Sequence, residues 1–146
     1  MRNTFCLIIA ATFIATLGVG CSSKEYGYVT GVVTINGEPV QDAVVTFAPQ
    51  EGGRSAFGKT GSDGVYELNY TPGVKGAKVG ANQVSITTYK APTLDDNRKV
   101  VDPGSPERFP PEYNVNSTEV REVESGNNEI DFDVQTTQDS FPRRQD

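Results

Sequence analysis

Residues 31–47 read GVVTINGEPVQDAVVTF, in which two apolar runs flank an Asn36-Gly37 dipeptide. Asn-Gly readily adopts the positive φ angles that a two-residue hairpin turn requires. Strand side chains alternate between two faces. The residues that share a face are Gly31, Val33 and Ile35 before the turn, and Ala43, Val45 and Phe47 after it. The pattern predicts the opening hairpin of a small β-sandwich, with loose pairing at Pro39 because proline lacks an amide hydrogen.

The rest of the chain continues as short alternating segments separated by turns. With 15 Gly, 9 Pro and no Trp or His in 146 residues, the composition favours one domain of many strands over a helical bundle. The seven predicted strands cover residues 26–35, 43–47, 55–60, 65–70, 83–89, 119–123 and 130–134. In the sixth strand Val120 and Val123 are out of phase, which favours an edge strand with a bulge.

The order of the motifs resembles the carboxypeptidase regulatory-like domain, a transthyretin-like sandwich. The matching segments are Gly-x-Val at 31–33, Gly-x-Pro-Val at 37–40, Ala-x-Val-x-Phe at 43–47, the turn at 60–66, Pro-x-x-Tyr-Asn at 110–114 and the closing segment 126–133. Bacterial lipoproteins that consist of this domain also show a Gly-x-His-x-Val-x-Ile strand. Residues 80–86 match it, with Asn82 where the His would be, and Gly61 replaces the usual turn Asp. The resemblance implies a seven-stranded antiparallel β-sandwich of prealbumin/Ig-like type over residues 26–134.

Residues 1–20 are predicted to be a lipoprotein signal peptide. Arg2 supplies the positive charge, and the apolar run 5–17 is too short for a mature transmembrane helix. Small residues precede Cys21, which resembles a lipobox, with Gly18 where Leu is usual. Cleavage before Cys21 would let its thiol carry diacylglycerol, and several acyl chains would make attachment effectively permanent. The alternative is a plain secretory signal that leaves a free thiol.

Four further features bear on the mature chain. Cys6, the other cysteine, lies inside the apolar run, so cleavage would leave Cys21 without a disulfide partner. Removal of Arg2 would change the net charge from −6 to −7. In bacteria with two membranes, the resemblance to lipoproteins implies that Ser22 after the cysteine, rather than Asp, directs the chain to the outer membrane, facing the periplasm or the cell surface. Residues 21–25 are predicted to be a polar tether.

Two segments lack strand periodicity. Residues 90–116 contain five prolines with charges between them, and a loop of this length is usually functional or disordered. We predict a solvated excursion pinned by Phe109 and Tyr113, with a partner-binding loop as the alternative. Residues 135–146 are polar, and we predict a disordered tail.

Catalysis, metal binding and nucleic-acid binding find little support in the composition. Without histidine, the chain lacks the commonest general base and metal ligand. Its aspartates do not have the spacing of a calcium loop, and a net charge of −6 would repel a phosphate backbone. We therefore predict no enzyme activity, no cofactor, no metal site and no nucleic-acid partner.

Carbohydrate binding is the alternative function that the residues leave open. Exposed tyrosines could act as stacking platforms with amide groups beside them. The candidate ligand surface is Tyr70, Asn82, Tyr89, Tyr113 and Asn114. The competing interpretation places Tyr66 and Tyr70 in the core with their hydroxyls at its rim. Two exposed, coplanar rings on one face would favour the sugar site. The expected function is a non-enzymatic, membrane-anchored lipoprotein that displays a structural or interaction module, with an envelope protein or a glycan as partner.

Overall fold

A computed structural model describes residues 25–141, and these residues are almost entirely β-structure. The strands are β1 (Tyr26–Ile35), β2 (Glu38–Pro39), β3 (Val44–Pro49), β4 (Ala56–Lys59), β5 (Val65–Glu67), β6 (Asn69–Thr71), β7 (Val74–Lys75), β8 (Ala77–Lys78), β9 (Gly80–Thr87), β10 (Thr93–Leu94), β11 (Val100–Asp102), β12 (Val120–Val123), β13 (Asn127–Glu129) and β14 (Phe132–Val134). One 3-10 helix spans Pro111–Tyr113. The predicted signal peptide and residues 21–24 of the tether, with Cys21, lie outside the described residues.

Two sheets form the domain, which confirms the all-β sandwich. In the first sheet, β1 pairs antiparallel with β2, β5 and β8. The second sheet has the order β12-β9-β3-β4-β6-β7. Pairing is antiparallel throughout, except that β1 lies parallel to β13 and β14. The closing segment therefore runs alongside the opening strand, and the two ends of the domain sequence meet in one sheet.

One predicted strand is divided in the structure. The predicted strand 65–70 becomes β5 in the first sheet and β6 in the second, because the chain changes sheets at Leu68. Leu68 is fully buried, and its amide donates to the carbonyl of Val29 over 3.0 Å. Such corners produce more, shorter strands than an alternating sequence pattern indicates.

The Asn36-Gly37 turn forms as predicted, with φ angles of 53° and 81°. Its second strand, however, is only the two-residue β2, which ends at Pro39. Asp42, with a φ of 63°, then leads into β3, which pairs with β4 and β9 in the opposite sheet. The two apolar runs therefore do not form one hairpin, and that part of the prediction is wrong. They face each other across the core.

The core lies between the sheets and follows the predicted alternation. Its buried members include Val29, Val33, Ile35, Ala43, Val45, Phe47, Tyr66, Val84, Ile86, Phe132 and Val134. The Phe132 ring meets Phe47 edge-on, with centroids 6.5 Å apart, an arrangement that aromatic pairs favour. Burying each large apolar side chain contributes about 1.5–3 kcal/mol.

Strand β12 forms an edge of the second sheet, as its charges predicted. It pairs with β9 in unbroken register from Val120 to Val123, so the predicted bulge is absent. Val120 is exposed and Val123 is buried. Arg121 occupies the other inward position, with its guanidinium carbon 5.2 Å from the centre of the Phe132 ring. The aliphatic stem and cation of an arginine can cover an aromatic edge, which explains the two valines out of phase.

Both segments without periodicity have defined contacts. Within residues 90–116, β10 and β11 pair as a ribbon, Phe109 is fully buried, and Tyr113 packs against the core. Residues 135–141, assigned by sequence to a disordered tail, follow the domain surface. Thr136 exchanges two hydrogen bonds with the Asn36 side chain, of 2.8 and 2.9 Å.

Candidate functional site

The five residues of the predicted ligand surface do not form one surface. Asn82 lies near the start of β9 and Tyr89 just beyond its end, separated by roughly 20 Å of extended chain. Tyr70 lies on β6, which is separated from β9 by β3 and β4. Only Tyr113 and Asn114 are neighbours, at the 3-10 helix.

Asn82 is fully buried, and its side chain forms hydrogen bonds with the backbone. Its amide nitrogen donates to the carbonyls of Lys78 and Gly80 over 2.9 and 2.8 Å. Its Oδ1 is buried without a hydrogen-bond partner in the described part of the chain. The two carbonyls fix the orientation of the amide, since the opposite orientation would set Oδ1 against them. Asn82 therefore holds the corner between β8 and β9 and is inaccessible to a sugar.

Tyr70 packs on Tyr26 at the start of the domain. The ring centroids are 4.5 Å apart and the planes are inclined by 39°. Both rings are half-buried. Burial raises the pKa of Tyr26 to about 12, and a side-chain hydrogen bond with Tyr70 adds to this increase. This pair supports the strand ends and does not form a flat platform.

The remaining three residues also serve the loop that carries them. Asn114 donates from Nδ2 to the carbonyls of Phe109 and Pro110 over 2.9 and 3.2 Å. Tyr113 packs against the core, and Tyr89 is half-buried beside Thr87, whose hydroxyl accepts its amide over 3.1 Å. None of the six tyrosines of the chain is exposed, so the two exposed, coplanar rings that would favour a sugar site do not occur among them.

Asp131 and Asp133, which alternate along the closing segment, are engaged within the fold. Asp131 accepts the amide of Val32 over 2.7 Å, and Asp133 accepts the hydroxyl of Thr34 over 2.7 Å. The Thr34 bond holds the pKa of Asp133 below its usual value. Within residues 25–141, no group of three or more His, Cys, Asp or Glu side chains is placed to hold a metal ion.

Glu107 organises the end of the domain from which the long loop leaves. This carboxylate is buried, and its Oε1 accepts the amides of Thr88, Arg108 and Phe109 over 3.1, 3.0 and 3.0 Å. Its Oε2 accepts the hydroxyl of Thr87. The side chain thus ties the base of the loop to the end of β9. This role is not predictable from the sequence, because a single Glu within a proline-rich loop carries no local signal.

A shallow groove lies beside this network. It has a volume of about 600 Å³ and runs between Pro110 and Pro111 on one side and the segment 135–138 on the other, with Phe141 at its edge. The Phe141 amide donates to the carbonyl of Glu107 over 2.7 Å. The groove is therefore built from the two segments that lack strand periodicity, and no sequence pattern indicates that these segments meet.

The ribbon projects beyond the Glu107 network. Lys90 forms a bridge with Ser105 at its base and an ion pair with Asp102. The Lys90 ammonium, helped by the Gly104 amide, lowers the pKa of Asp102, and the same pairing raises the pKa of Lys90. Residues 90–101 are all exposed, which is the longest unbroken run of exposed residues within the described residues 25–141.

Comparison with known proteins gives no family for the chain. No protein-family model matches the sequence, and no curated protein matches it. One solved structure that matches is a 9R-lipoxygenase from Cyanothece PCC8801, at 16% identity and a TM-score of 0.40. The match covers 81% of this chain and 17% of that one, so the chain spans about a sixth of the lipoxygenase. A likeness this distant carries no argument about activity.

No helix within residues 25–141 is both long and apolar enough to cross a membrane.

Proposed function

We propose that the chain is a non-enzymatic, membrane-anchored lipoprotein whose β-sandwich displays loops on the outer side of the membrane. The observation that carries the proposal is the position of the strand that follows the anchor. Tyr26, five residues after Cys21, begins β1 at one end of the sandwich, beside β8. The Asn36-Gly37 turn, the Glu107 network and the ribbon lie at the other end. An anchor at Cys21 would thus leave these loops pointing away from the lipid.

The distances suit this arrangement. Five residues of extended chain reach at most about 17 Å, so the near end of the sandwich would stay close to the membrane surface. Strand β1 has ten residues and spans roughly 33 Å. The ribbon and groove would then stand clear of the lipid headgroups, where they can meet an envelope component.

Intact mass of the membrane-fraction protein tests the anchor. We expect a chain that begins at Cys21 and carries diacylglycerol, and a Cys21→Ala variant that is released or left unprocessed. Cys6→Ala is the matched control, because that residue would leave with the signal peptide and the mature mass should equal the native one. An unlipidated mature chain that is soluble in both forms would refute the proposal.

Glycan binding is a second candidate function. The surface that favours it is on the second sheet, away from the predicted tyrosines. Phe57 is 50% exposed on the outer face of β4. Asn69 and Thr46 are its direct neighbours in register, and Ser85 follows Thr46. This row is uncharged and combines one aromatic ring with amide and hydroxyl groups, as a neutral saccharide requires.

Affinity electrophoresis in gels that contain a soluble envelope polysaccharide tests this second candidate. We expect the native protein to be retarded and Phe57→Ala to migrate freely. Val65→Ala is the control, since Val65 is also exposed but lies in the first sheet. Equal migration of the native protein with and without polysaccharide would refute a site for that glycan on this face.

A further inference from the structure

The ribbon of β10 and β11 has no face that packs against the domain. Every residue from 90 to 101 is exposed. Its three large apolar side chains, Leu94, Val100 and Val101, are 53%, 54% and 61% exposed. A two-stranded ribbon is at best marginally stable in water unless another strand or layer covers it. The ribbon therefore presents apolar surface and strand edges that remain unused in a single copy of the chain.

The outer edge of β11 is available for pairing. Its only strand partner among the described residues is β10, opposite which Thr93 pairs with Asp102 and Leu94 with Val100. Val101 lies between these positions and has no partner residue on β10. An exposed strand edge is a template for pairing with another strand, and the three-residue length of β11 and the register shift at Val101 limit such pairing to a short, weak contact.

The sequence of this edge is complementary to itself. Residues 99–102 read Lys-Val-Val-Asp, with a cation at one end, an anion at the other and two valines between. When two such segments lie antiparallel, Lys99 of each copy is opposite Asp102 of the other, and the valines are opposite each other. Opposite charges and β-branched side chains directly across a strand pair are both stabilising.

We propose that two copies of the chain associate through their ribbons, with β11 of each pairing antiparallel with β11 of the other to form a four-stranded sheet.

The charges at this edge suit a second copy. The Lys99 ammonium forms no ion pair within the part of the chain that the structure describes. Asp102 stays ionised beside Lys90, and its Oδ1 accepts the Gly104 amide over 2.8 Å. Its side chain is 38% exposed, which leaves room for a second cation from the partner copy.

The position of the ribbon disfavours a lipid surface as its partner. The ribbon follows the end of β9. Glu25 and Tyr26, which follow the proposed anchor at Cys21, lie beside the start of that strand, where the Val79 amide donates to the carbonyl of Glu25. The eight residues of β9 separate these two ends by roughly 26 Å. The interface is also small, so a weak, concentration-dependent dimer is expected.

Sedimentation equilibrium of the full mature protein tests the proposal, from about 1 µM to about 1 mM, a range that covers weak association. If the protein is in the membrane fraction, a density-matched detergent is used. We expect the native protein to pass from monomer to dimer. Val101→Lys should weaken the dimer at least tenfold, because two lysines would enter the centre of the pairing. Val115→Lys, at a valine equally exposed but outside the ribbon, should dimerise like the native protein.

A charge exchange tests the register. Lys99→Asp should weaken the dimer about tenfold, because two attractive pairs become repulsive. Asp102→Lys should weaken it similarly. An equimolar mixture of Lys99→Asp and Asp102→Lys should dimerise again, because each copy then supplies the charge that the other needs. Far-UV circular dichroism confirms that each variant is folded.

Three outcomes would overturn the proposal. The first is a native protein that stays monomeric over the whole range, and the second is a dimer that Val101→Lys and Val115→Lys affect equally. The third is a monomeric native protein that binds vesicles of phosphatidylethanolamine and phosphatidylglycerol and loses this binding in Val101→Lys. That result would assign the ribbon to a lipid surface.

Discussion

Replacement of Gly31 by Ala should destabilise the domain far more than one added methyl group suggests. Gly31 lies in the middle of β1, where the closing segment runs close beside it between β13 and β14. A Cβ at this position would lie 1.9 Å from the carbonyl oxygen of Ile130 and 2.6 Å from its carbonyl carbon. Both are backbone atoms, and ordinary carbon–oxygen contacts are about 3.3–3.6 Å. Ile130 would have to move by more than about 1 Å, which packed strands resist.

The cost follows from the hydrogen bonds that Ile130 and Asp131 form at this close approach. The Ile130 amide donates to Thr30 over 2.8 Å, and the Ile130 carbonyl accepts the Tyr66 hydroxyl over 2.7 Å. Asp131 beside it accepts the Val32 amide over 2.7 Å. Weakening three bonds at about 1 kcal/mol each gives a loss of about 3 kcal/mol in the free energy of unfolding. For a domain of this size, the melting temperature should fall by roughly 10–15 °C.

Urea unfolding monitored by circular dichroism measures this loss, and Gly37→Ala is the matched control. Gly37 has a φ of +81° but no atom within 4 Å of an added Cβ, so its substitution costs only backbone strain. That strain is about 1–2 kcal/mol. The expected order is therefore native, Gly37→Ala, Gly31→Ala in decreasing stability. A Gly31→Ala protein as stable as Gly37→Ala would refute the close approach of Ile130 to β1.

Three other residues give further predictions. Glu107→Gln removes the charge to which five donors bond and should lower the free energy of unfolding by about 1–2 kcal/mol. Glu122→Gln, on the exposed face of β12, is the control and should change this free energy little. Equal effects of the two substitutions in urea unfolding would contradict the role of Glu107. Asn36→Gly keeps the turn but removes both bonds to Thr136, so hydrogen exchange at the Thr136 amide should speed up while global stability stays near native; unchanged exchange would speak against this clamp. Burial raises the pKa of Tyr66 above its unfolded value, so the contribution of Tyr66 to the free energy of unfolding is full below about pH 10 and is lost at higher pH. Tyr66→Phe should therefore lose less stability at alkaline pH than the native protein. Identical alkaline unfolding curves for the two proteins would contradict this prediction.

The sequence predicted the features of the fold that depend on neighbouring residues. The Asn36-Gly37 turn forms because both residues must adopt positive φ, a requirement that the dipeptide itself shows. The inward positions of Val33, Val45 and Ile86 follow from a period of two within each strand. These inferences needed no knowledge of which strands are neighbours.

The assignment of strands to sheets depends on contacts that are distant in sequence, and here the sequence was insufficient. A turn of two residues predicts a hairpin, but it does not show that the pairing ends at Pro39 and that Asp42 leads into the other sheet. In the sequence alone, the spacing of Val120 and Val123 indicates a bulge, because an arginine is not expected at an inward position. Arg121 can face inward because β14 supplies the Phe132 ring that it covers.

The same limit applies to the site. Tyr70, Asn82 and Tyr113 were grouped because their side chains suit a ligand, but whether such a group is free depends on what the fold places around it. Asn82 is buried against two carbonyls and Tyr70 is stacked on Tyr26. Residues 99–102 are the opposite case. Their charges are ordinary in the sequence, and they suggest an interface only because β11 lies at an unpaired strand edge. A polar residue is a candidate for binding only where the fold leaves its side chain uncovered, and in this chain the ribbon is such a surface.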